Sequence, residues 1–554
     1  MNFKVLISAI FASMIIVAGC SSSDGDGGGG GAGGDAGNGG DAGNGGGGTG
    51  GTVEVDCSDL PDLTAYAVEG APDTSTDDCT GDLFEPTANS AADLNTRLDN
   101  ASPGDVICMA PGTYEMSDTI KITLVRDLTL KGTGDSPDDT ELVFGGPGTG
   151  PGIEASTDDV VIENLWVKNT GANGIEQSGT SGSVFRKVHV SWDDPCEADT
   201  PLEGCFETCN PALCNEASDN AGDPCSSDSQ CENGECIAEE DPCGDESLVC
   251  VVESSTATEG VCLFDEGING AYGIYPTNCQ NTTVEYSQAS NASDAGIYVG
   301  KCGWEDDSTP GGVVNNNIVN GNVAGLEVEN CLGVTVFENL VIDNTGGLMP
   351  LQQPGASSPT RPSNSEVLME NNKVYCNNHW NFAKVGVVEI IPAGSGFLML
   401  GGDGIEVRNN DIQGNDTAGM MIVSNALTCR AAGADCPPFD FEDYNPYVEN
   451  IYIHDNNFVN NGTNADQTSG FYLIFDILNM GTEESPTPSI VWDGYISEDV
   501  TDPNICLGAD YEGTYIDLTA NLCESAPPNP PAFAGCVATN ATNSTDGRLC
   551  DPSN

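Results

Sequence analysis

The sequence predicts an all-β chain whose main body is a right-handed parallel β-helix of about eleven coils. Three observations predict it. A Gly–apolar motif recurs along the chain, a second alternating apolar segment carries an Asn at one fixed place, and no helical period runs between the two.

The Gly motif reads Gly152-Ile153-Glu154, Gly174-Ile175-Glu176, Gly273-Ile274-Tyr275, Gly296-Ile297-Tyr298 and Gly325-Leu326-Glu327. It continues as Gly347-Leu348-Met349, Gly396-Phe397-Leu398, Gly419-Met420-Met421 and Gly470-Phe471-Tyr472. Its short spacings are 22 or 23 residues, and longer ones are that step plus an inserted loop. The second segment recurs at 160–167, 334–341, 367–374, 405–412 and 451–458. Aligned on it, Asn317, Asn339, Asn372, Asn410 and Asn456 share one column. Strict alternation marks strands, and a stacked Asn column can satisfy buried turn backbone along the axis. Parallel crossovers are right-handed in nearly all proteins, which sets the hand.

An open solenoid end needs covering. Residues 90–98 read as a short amphipathic helix ahead of Pro103-Gly104-Asp105-Val106-Ile107, so an N-terminal cap helix is expected. That stretch through Tyr114 resembles the opening of pectate-lyase-like β-helix proteins. Strands then follow at 120–130 and 142–144.

The chain begins Met1-Asn2-Phe3-Lys4, then runs apolar from Val5 to Val17, the pattern of a secretory signal. Val17-Ala18-Gly19-Cys20 resembles the lipobox of bacterial lipoproteins, which implies cleavage before Cys20 and lipidation of its thiol. Ser21 resembles the outer-membrane sorting pattern, so a lipid-anchored envelope location, at the outer membrane, is expected. Residues 22–51 are almost all Gly, Asp, Asn, Ser and Ala, a composition that cannot offset ordering entropy and reads as a tether.

The 554 residues carry 15 Lys and Arg against 86 Asp and Glu, for a formal charge of −71. This excludes nucleic acid and an anionic membrane surface as direct partners. Ca²⁺ is the one cofactor these carboxylates would suit.

Of 24 Cys, 23 lie beyond Cys20, and export would oxidise most of them. An odd number leaves one thiol over. Cys279, Cys302 and Cys331 share one repeat position. Coils stack about 4.8 Å apart, so Cys302 can reach either neighbour, whereas Cys279 cannot reach Cys331. Ten Cys fall between Cys196 and Cys262 in a polar stretch, and Cys225 to Cys236 resembles small Cys-rich modules of bacterial surface proteins. Cys506, Cys523, Cys536 and Cys550 mark a tail expected to fold back over the last coil.

The expected organisation is therefore a signal peptide (1–19), a lipidated Cys and tether (20–56), a Cys-containing N-terminal segment (57–90), and β-helix (91–192). A Cys-rich insertion (193–264), β-helix again (265–480) and a Cys-containing tail (481–554) complete it.

Alternation puts Ile153, Ile175, Ile274, Ile297 and Leu326 inward. The outward column then reads Glu154, Glu176, Tyr275, Tyr298, Glu327, Met349, Leu398, Met421 and Tyr472. Tyr faces stack on sugar rings, and carboxylates accept from hydroxyls. The candidate ligand-binding residues are Glu176, Tyr275, Tyr298, Glu327, Glu329 and Asn330. For lyase or epimerase chemistry, which needs a base, an acid and a cation, the candidates are Tyr275, Tyr298, Lys301 and Asp294. Hydrolysis through Glu176 and Glu327 is disfavoured, because three coil steps separate them by about 14 Å. His189, His379 and His454 are scattered and form no triad or zinc motif; His379 reads as a loop residue.

Ala271 to Pro276 with Ser293 to Val299 resembles β-helix alginate C5-epimerases. Their Asp-Pro-His element falls on Tyr275-Pro276-Thr277, which has neither the Asp nor the His. The polygalacturonase elements Gly-His-Gly and Arg-Ile-Lys are absent. Over about residues 90–480 the chain resembles an uncharacterised family of exported β-helix lipoproteins within the pectin-lyase-like superfamily. The resemblance is carried by 292–300, 322–330 and 392–396, and it implies fold and location without a reaction. Three functions are expected in competition: a surface protein binding polysaccharide or another envelope ligand, a lyase or uronate epimerase with an atypical site, and a structural or assembly factor for another exported protein.

Overall fold

The computed structural model describes residues 54–193 and 269–550 and five short strand pieces between 208 and 264, apart from residues 304–309, 354–364, 428–444 and 524–529 and some isolated positions. The signal, Cys20, the tether and most of the Cys-rich insertion lie outside the described residues.

Two long parallel sheets stack along one axis, one of twenty strands and one of eleven. In the eleven-strand sheet the repeat residues pair in register: Ile153 with Ile175, Ile175 with Ile274, Ile274 with Ile297, Ile297 with Leu326, and Leu326 with Leu348. The column goes on through Phe397, Met420, Ile490 and Tyr515. These side chains form the fully buried interior of the solenoid. Strand Ile175–Ser178 pairs directly with Tyr272–Thr277, so the chain leaves the solenoid between them and rejoins it one coil on.

Sharp bends join the strands, and the local sequence explains them. Each ladder Asn follows a residue with positive φ: Asn316, Glu338, Asn371, Asn409 and Asp455 precede Asn317, Asn339, Asn372, Asn410 and Asn456. Asn, Asp and Gly tolerate that left-handed conformation best. Within the bend each Asn Nδ2 donates to the Oδ1 of the next Asn, at 2.9 Å in all four links. Each of the five also donates to a carbonyl of the preceding coil, such as Val314 or Val336. A second ladder, not anticipated from the repeat alignment, runs through Asn322, Asn344, Asn377, Asn415 and Asn461. Its preceding residues are Gly321, Asp343, Cys376, Gly414 and Asn460, again all at positive φ. The two ladders satisfy buried bend backbone that would otherwise be costly to desolvate.

Helix Ser90–Asp99 lies over the first coil with Ala91, Leu94 and Leu98 buried. The segment before it is a strap. Cys57 is disulfide-bonded to Cys376 and Cys79 to Cys108, so the strap runs back along the twenty-strand sheet from a late coil to the first. Between those ends Gln288 Nε2 donates to Leu63 O and Gln288 Oε1 accepts from Ala67 N. Leu60 and Leu63 pack on Ile318 and Ile342.

The Cys column resolves as Cys302–Cys331, with Cα atoms 4.6 Å apart, and Cys279 buried as a free thiol. In the tail Cys506 pairs with Cys550 and Cys523 with Cys536.

Two expectations are corrected. Tyr472 does not join the outward column: residues Tyr472–Leu478 form a helix. Their run of mostly apolar residues lacks the alternation of a strand, and the helix buries Ile474 and Phe475 against the sheet. The sheets also continue past residue 480, since Ile490–Trp492 and Tyr515–Asp517 extend the eleven-strand sheet. Ile505–Gly508 and Leu549–Cys550 extend the other. Helix Pro530–Asn540 packs on helix Tyr472–Leu478.

Candidate functional site

The outward column has the expected register. Tyr275 pairs with Glu176 and Tyr298 with Glu327, while the pairing of Ile274 with Ile297 sets Tyr275 beside Tyr298. Its environment differs from an open ladder. Tyr298 and Glu327 are each only 2 % exposed, whereas Tyr275, Glu176, Asp294, Glu329 and Lys301 are half-buried. The site therefore has a buried floor and a half-buried rim. The correction has a simple cause: the pleat determines which side of the sheet a side chain leaves, not whether other chain covers it.

A third tyrosine, Tyr272, joins the two expected ones. Ring centroids lie 4.4 Å apart for Tyr272 and Tyr275, 4.7 Å for Tyr275 and Tyr298, and 5.1 Å for Tyr272 and Tyr298. The sequence carried a signal for Tyr272. Its column otherwise holds Ala295, Ala324, Gly346, Ser395 and Ala418, all small. Gly300 is needed too, because a Cβ there would collide with the Tyr298 ring.

Three carboxyls border the tyrosines. The Tyr272 hydroxyl lies toward Asp294 and the Tyr298 hydroxyl toward Glu329, each favouring the charged carboxylate. Burial pushes Asp294 up to about 7, partly opposed by the Tyr272 hydrogen bond. Burial, with the charges of Asp294 and Glu329 nearby, raises Glu327 well above the usual carboxyl range. Glu329 is raised by burial and pulled back by Lys301 and Tyr298. Oδ1 of Asp294 and Oε1 of Glu327 are buried without a hydrogen-bond partner among the described residues. In such an environment a carboxyl is held toward its neutral form and can donate as well as accept.

Asn330 stands apart from the tyrosine cluster. It sits at a bend with φ 49°, and its amide accepts from Gln353 N at 2.8 Å and donates to Gln353 O at 3.1 Å. Glu176 accepts from Asn173 at 3.0 Å at the edge of the site. Of the enzyme candidates, Tyr275, Tyr298 and Asp294 come together, and Lys301 stands toward Glu329. Among the described residues no three His, Cys, Asp or Glu side chains are grouped as a metal site requires.

Residues 250–358 match the family described as right handed beta helix region. The fold is a right-handed parallel β-helix. No curated protein sequence matches the chain. Among solved structures, the β-helix is similar to the A-module of a mannuronan C-5 epimerase from Azotobacter vinelandii at 12 % identity and a TM-score of 0.42, over 77 % of this chain and 92 % of that one. It is also similar to an alginate lyase from Paenibacillus sp. at 12 % identity and 0.35, over 68 % and 97 %. A pectate lyase gives 10 % identity and 0.33, over 77 % and 82 %. At these values the likeness is one of general shape and carries nothing about chemistry.

Proposed function

We propose that this β-helix is a lipid-anchored cell-envelope protein that binds a neutral polysaccharide at the tyrosine–carboxyl site. The observation that carries the reading is the three-tyrosine cluster, bordered by carboxyls with two unpartnered buried oxygens. Aromatic faces give a sugar ring its apolar contact, and carboxyls near neutrality exchange hydrogen bonds with hydroxyls.

Charge selects the substrate class. A uronate would bring a further charge into a site where burial already disfavours ionisation of Asp294, Glu327 and Glu329, and the cation Lys301 already faces Glu329. The same deficit weighs against a lyase or epimerase, which must stabilise an anion as it forms. The anchor is the thioether-linked lipid at Cys20, and the location is the outer membrane. A scaffold role toward another exported protein is the competing reading, in which the site would bind no glycan.

The test uses the soluble chain carrying Cys20→Ser, titrated with neutral polysaccharides and with alginate and pectin. Saturable binding to a neutral polymer is expected, weakened about tenfold by Tyr275→Ala, which is roughly 1.4 kcal/mol. Unsaturated products from alginate or pectin that disappear in Tyr298→Phe would replace this reading with the lyase. Silence toward every neutral polymer, with capture of a defined envelope protein, would replace it with the scaffold.

A further inference from the structure

Three cysteines stand in one column on successive coils, Cys279, Cys302 and Cys331, and all three belong to the solenoid interior. The first is a buried free thiol, and the other two are disulfide-bonded to each other. The backbone treats the two steps of that column alike. Thr277 pairs with Gly300 and Gly300 with Glu329, which puts Cys279 level with Cys302 and Cys302 level with Cys331. Gly303 N donates to Cys279 O at 3.1 Å, and one coil on Leu332 N donates to Cys302 O at 3.0 Å. Asn278 N donates to Gly300 O at 3.0 Å, and one coil on Lys301 N donates to Glu329 O at 2.8 Å. Matching hydrogen bonds bracket both steps, so Cys302 has a neighbour at one strand spacing on either side. That spacing, about 4.8 Å, lies inside the Cα range of a disulfide. The bonded step has its Cα atoms 4.6 Å apart.

Neither step has a large advantage. Cys279 is 23 positions from Cys302 and Cys331 is 29, loops whose closure entropies differ little. Cys331 Sγ lies 3.4 Å from both Val299 O and Glu329 O, which are acceptors for a thiol formed there. The Cys279 thiol faces the Thr282 hydroxyl. Burial pushes that thiol up to about 12, so its thiolate is scarce and its attack slow. Attack on a neighbour in the same interior needs no access from solvent.

We propose that the three cysteines form an internal thiol–disulfide relay, in which the folded protein passes one disulfide between the two steps of the column. The Cys279 thiolate attacks Cys302 Sγ along the axis. A Cys279–Cys302 bond forms as Cys302–Cys331 breaks, and Cys331 leaves as a thiolate that takes up the proton Cys279 released. One disulfide and one thiol stand on each side of the exchange, so no oxidant or reductant is consumed. The relay moves the covalent tie to the coil that opens with strand Tyr272–Thr277, the first after the chain rejoins the solenoid. It is independent of what the tyrosine–carboxyl site binds.

The test maps disulfides in the full folded chain, equilibrated without added thiol. Acid stops exchange by removing thiolate, and the chain is then unfolded and alkylated with N-ethylmaleimide in acid, cleaved with pepsin and read by mass spectrometry. Two isomers are expected, one alkylated at Cys279 and one at Cys331, with the minor one above about 1 %. Their ratio should move on a step in temperature and return on stepping back. Cys331→Ser should carry a Cys279–Cys302 bond at a thermal midpoint close to the parent's. Cys302→Ser should be alkylated at both Cys279 and Cys331, which stand two strand spacings apart, about 9.6 Å and beyond disulfide reach. Alkylation of the parent at Cys279 alone, or a ratio that temperature never moves, would overturn the relay. So would a natively folded Cys331→Ser alkylated at both Cys279 and Cys302, or a Cys279–Cys331 bond in Cys302→Ser. Should Cys331→Ser not fold, the parent's isomer ratio decides alone.

Discussion

The outward column of the eleven-strand sheet has two halves that share a register and, through Tyr298, one buried cluster, and that differ in side-chain chemistry. From Glu176 to Glu327 it carries tyrosines and carboxyls. From Met349 through Leu398, Met421, Val491 and Ile516 it is apolar, and those five side chains sit in one buried cluster with Ile474 and Phe475 of one helix and Ala534 and Val537 of the other. The second half is a helix-on-sheet core added to the outside of a solenoid that already has its own core. The first half buries Tyr298 and Glu327 as deeply as Leu398, but with polar atoms left unpaired. Apolar burial of the kind in the second half stabilises a fold, whereas unpaired buried carboxyls cost free energy and are retained where a ligand can satisfy them.

The largest effect expected from breaking this contrast is at Leu398. Leu398→Asp puts an unpaired charge under the two helices and should cost about 4 kcal/mol, measured by urea unfolding. A cost under about 1 kcal/mol would mean the helices do not pack there. A second variant acts on a feature common to both halves. Asn344 donates to Val319 O, Ile342 O and Asn377 Oδ1, so Asn344→Ala should cost about 3 kcal/mol and leave glycan affinity unchanged.

Opposite in sign, Glu327→Leu removes an unsatisfied buried carboxyl and should raise stability by about 1 kcal/mol while weakening glycan binding. Destabilisation by that variant would show that Glu327 is a structural partner.

The last effect is a pH dependence. Asp294 is raised from 3.8 to about 7, so between those values the folded state binds more protons than the unfolded one. Its contribution to stability is therefore fully present below about pH 4 and lost as pH rises through 7. The fall in urea midpoint between pH 4.5 and 8 should be smaller in Asp294→Asn than in the parent, and an equal fall in both would remove Asp294 from the account. The comparison between the two chains cancels the general repulsion among the 86 acidic residues.

Much of the fold was legible because a solenoid writes its period into the chain. The Gly-Ile steps, one Asn ladder and the adjacency of Cys302 and Cys331 all depend on spacing along one repeat. The second Asn ladder was missed although it was equally regular: each member stands five positions after a member of the first, and a positive-φ residue precedes it as in the first. Within the site, Tyr275, Tyr298, Asp294, Glu327 and Glu329 were legible from alternation. Tyr272 was not, since it precedes the Gly of its repeat. Asn330 was read as a ligand residue, and its place at a bend, bonded to Gln353, was not legible, because a bend Asn and a ligand-binding Asn look alike in sequence.

The sequence by itself determined the period, the register and which side of each strand a residue leaves, because those follow from backbone geometry repeated coil after coil. Only the tertiary structure decided what lies over each side. The strap is positioned by disulfides to Cys376 and Cys108, the first 319 residues away, and the covering helices arrive from 472–478 and 530–540. Burial depends on such long-range contacts, and so an outward residue became core in one half of the sheet and a candidate binding floor in the other.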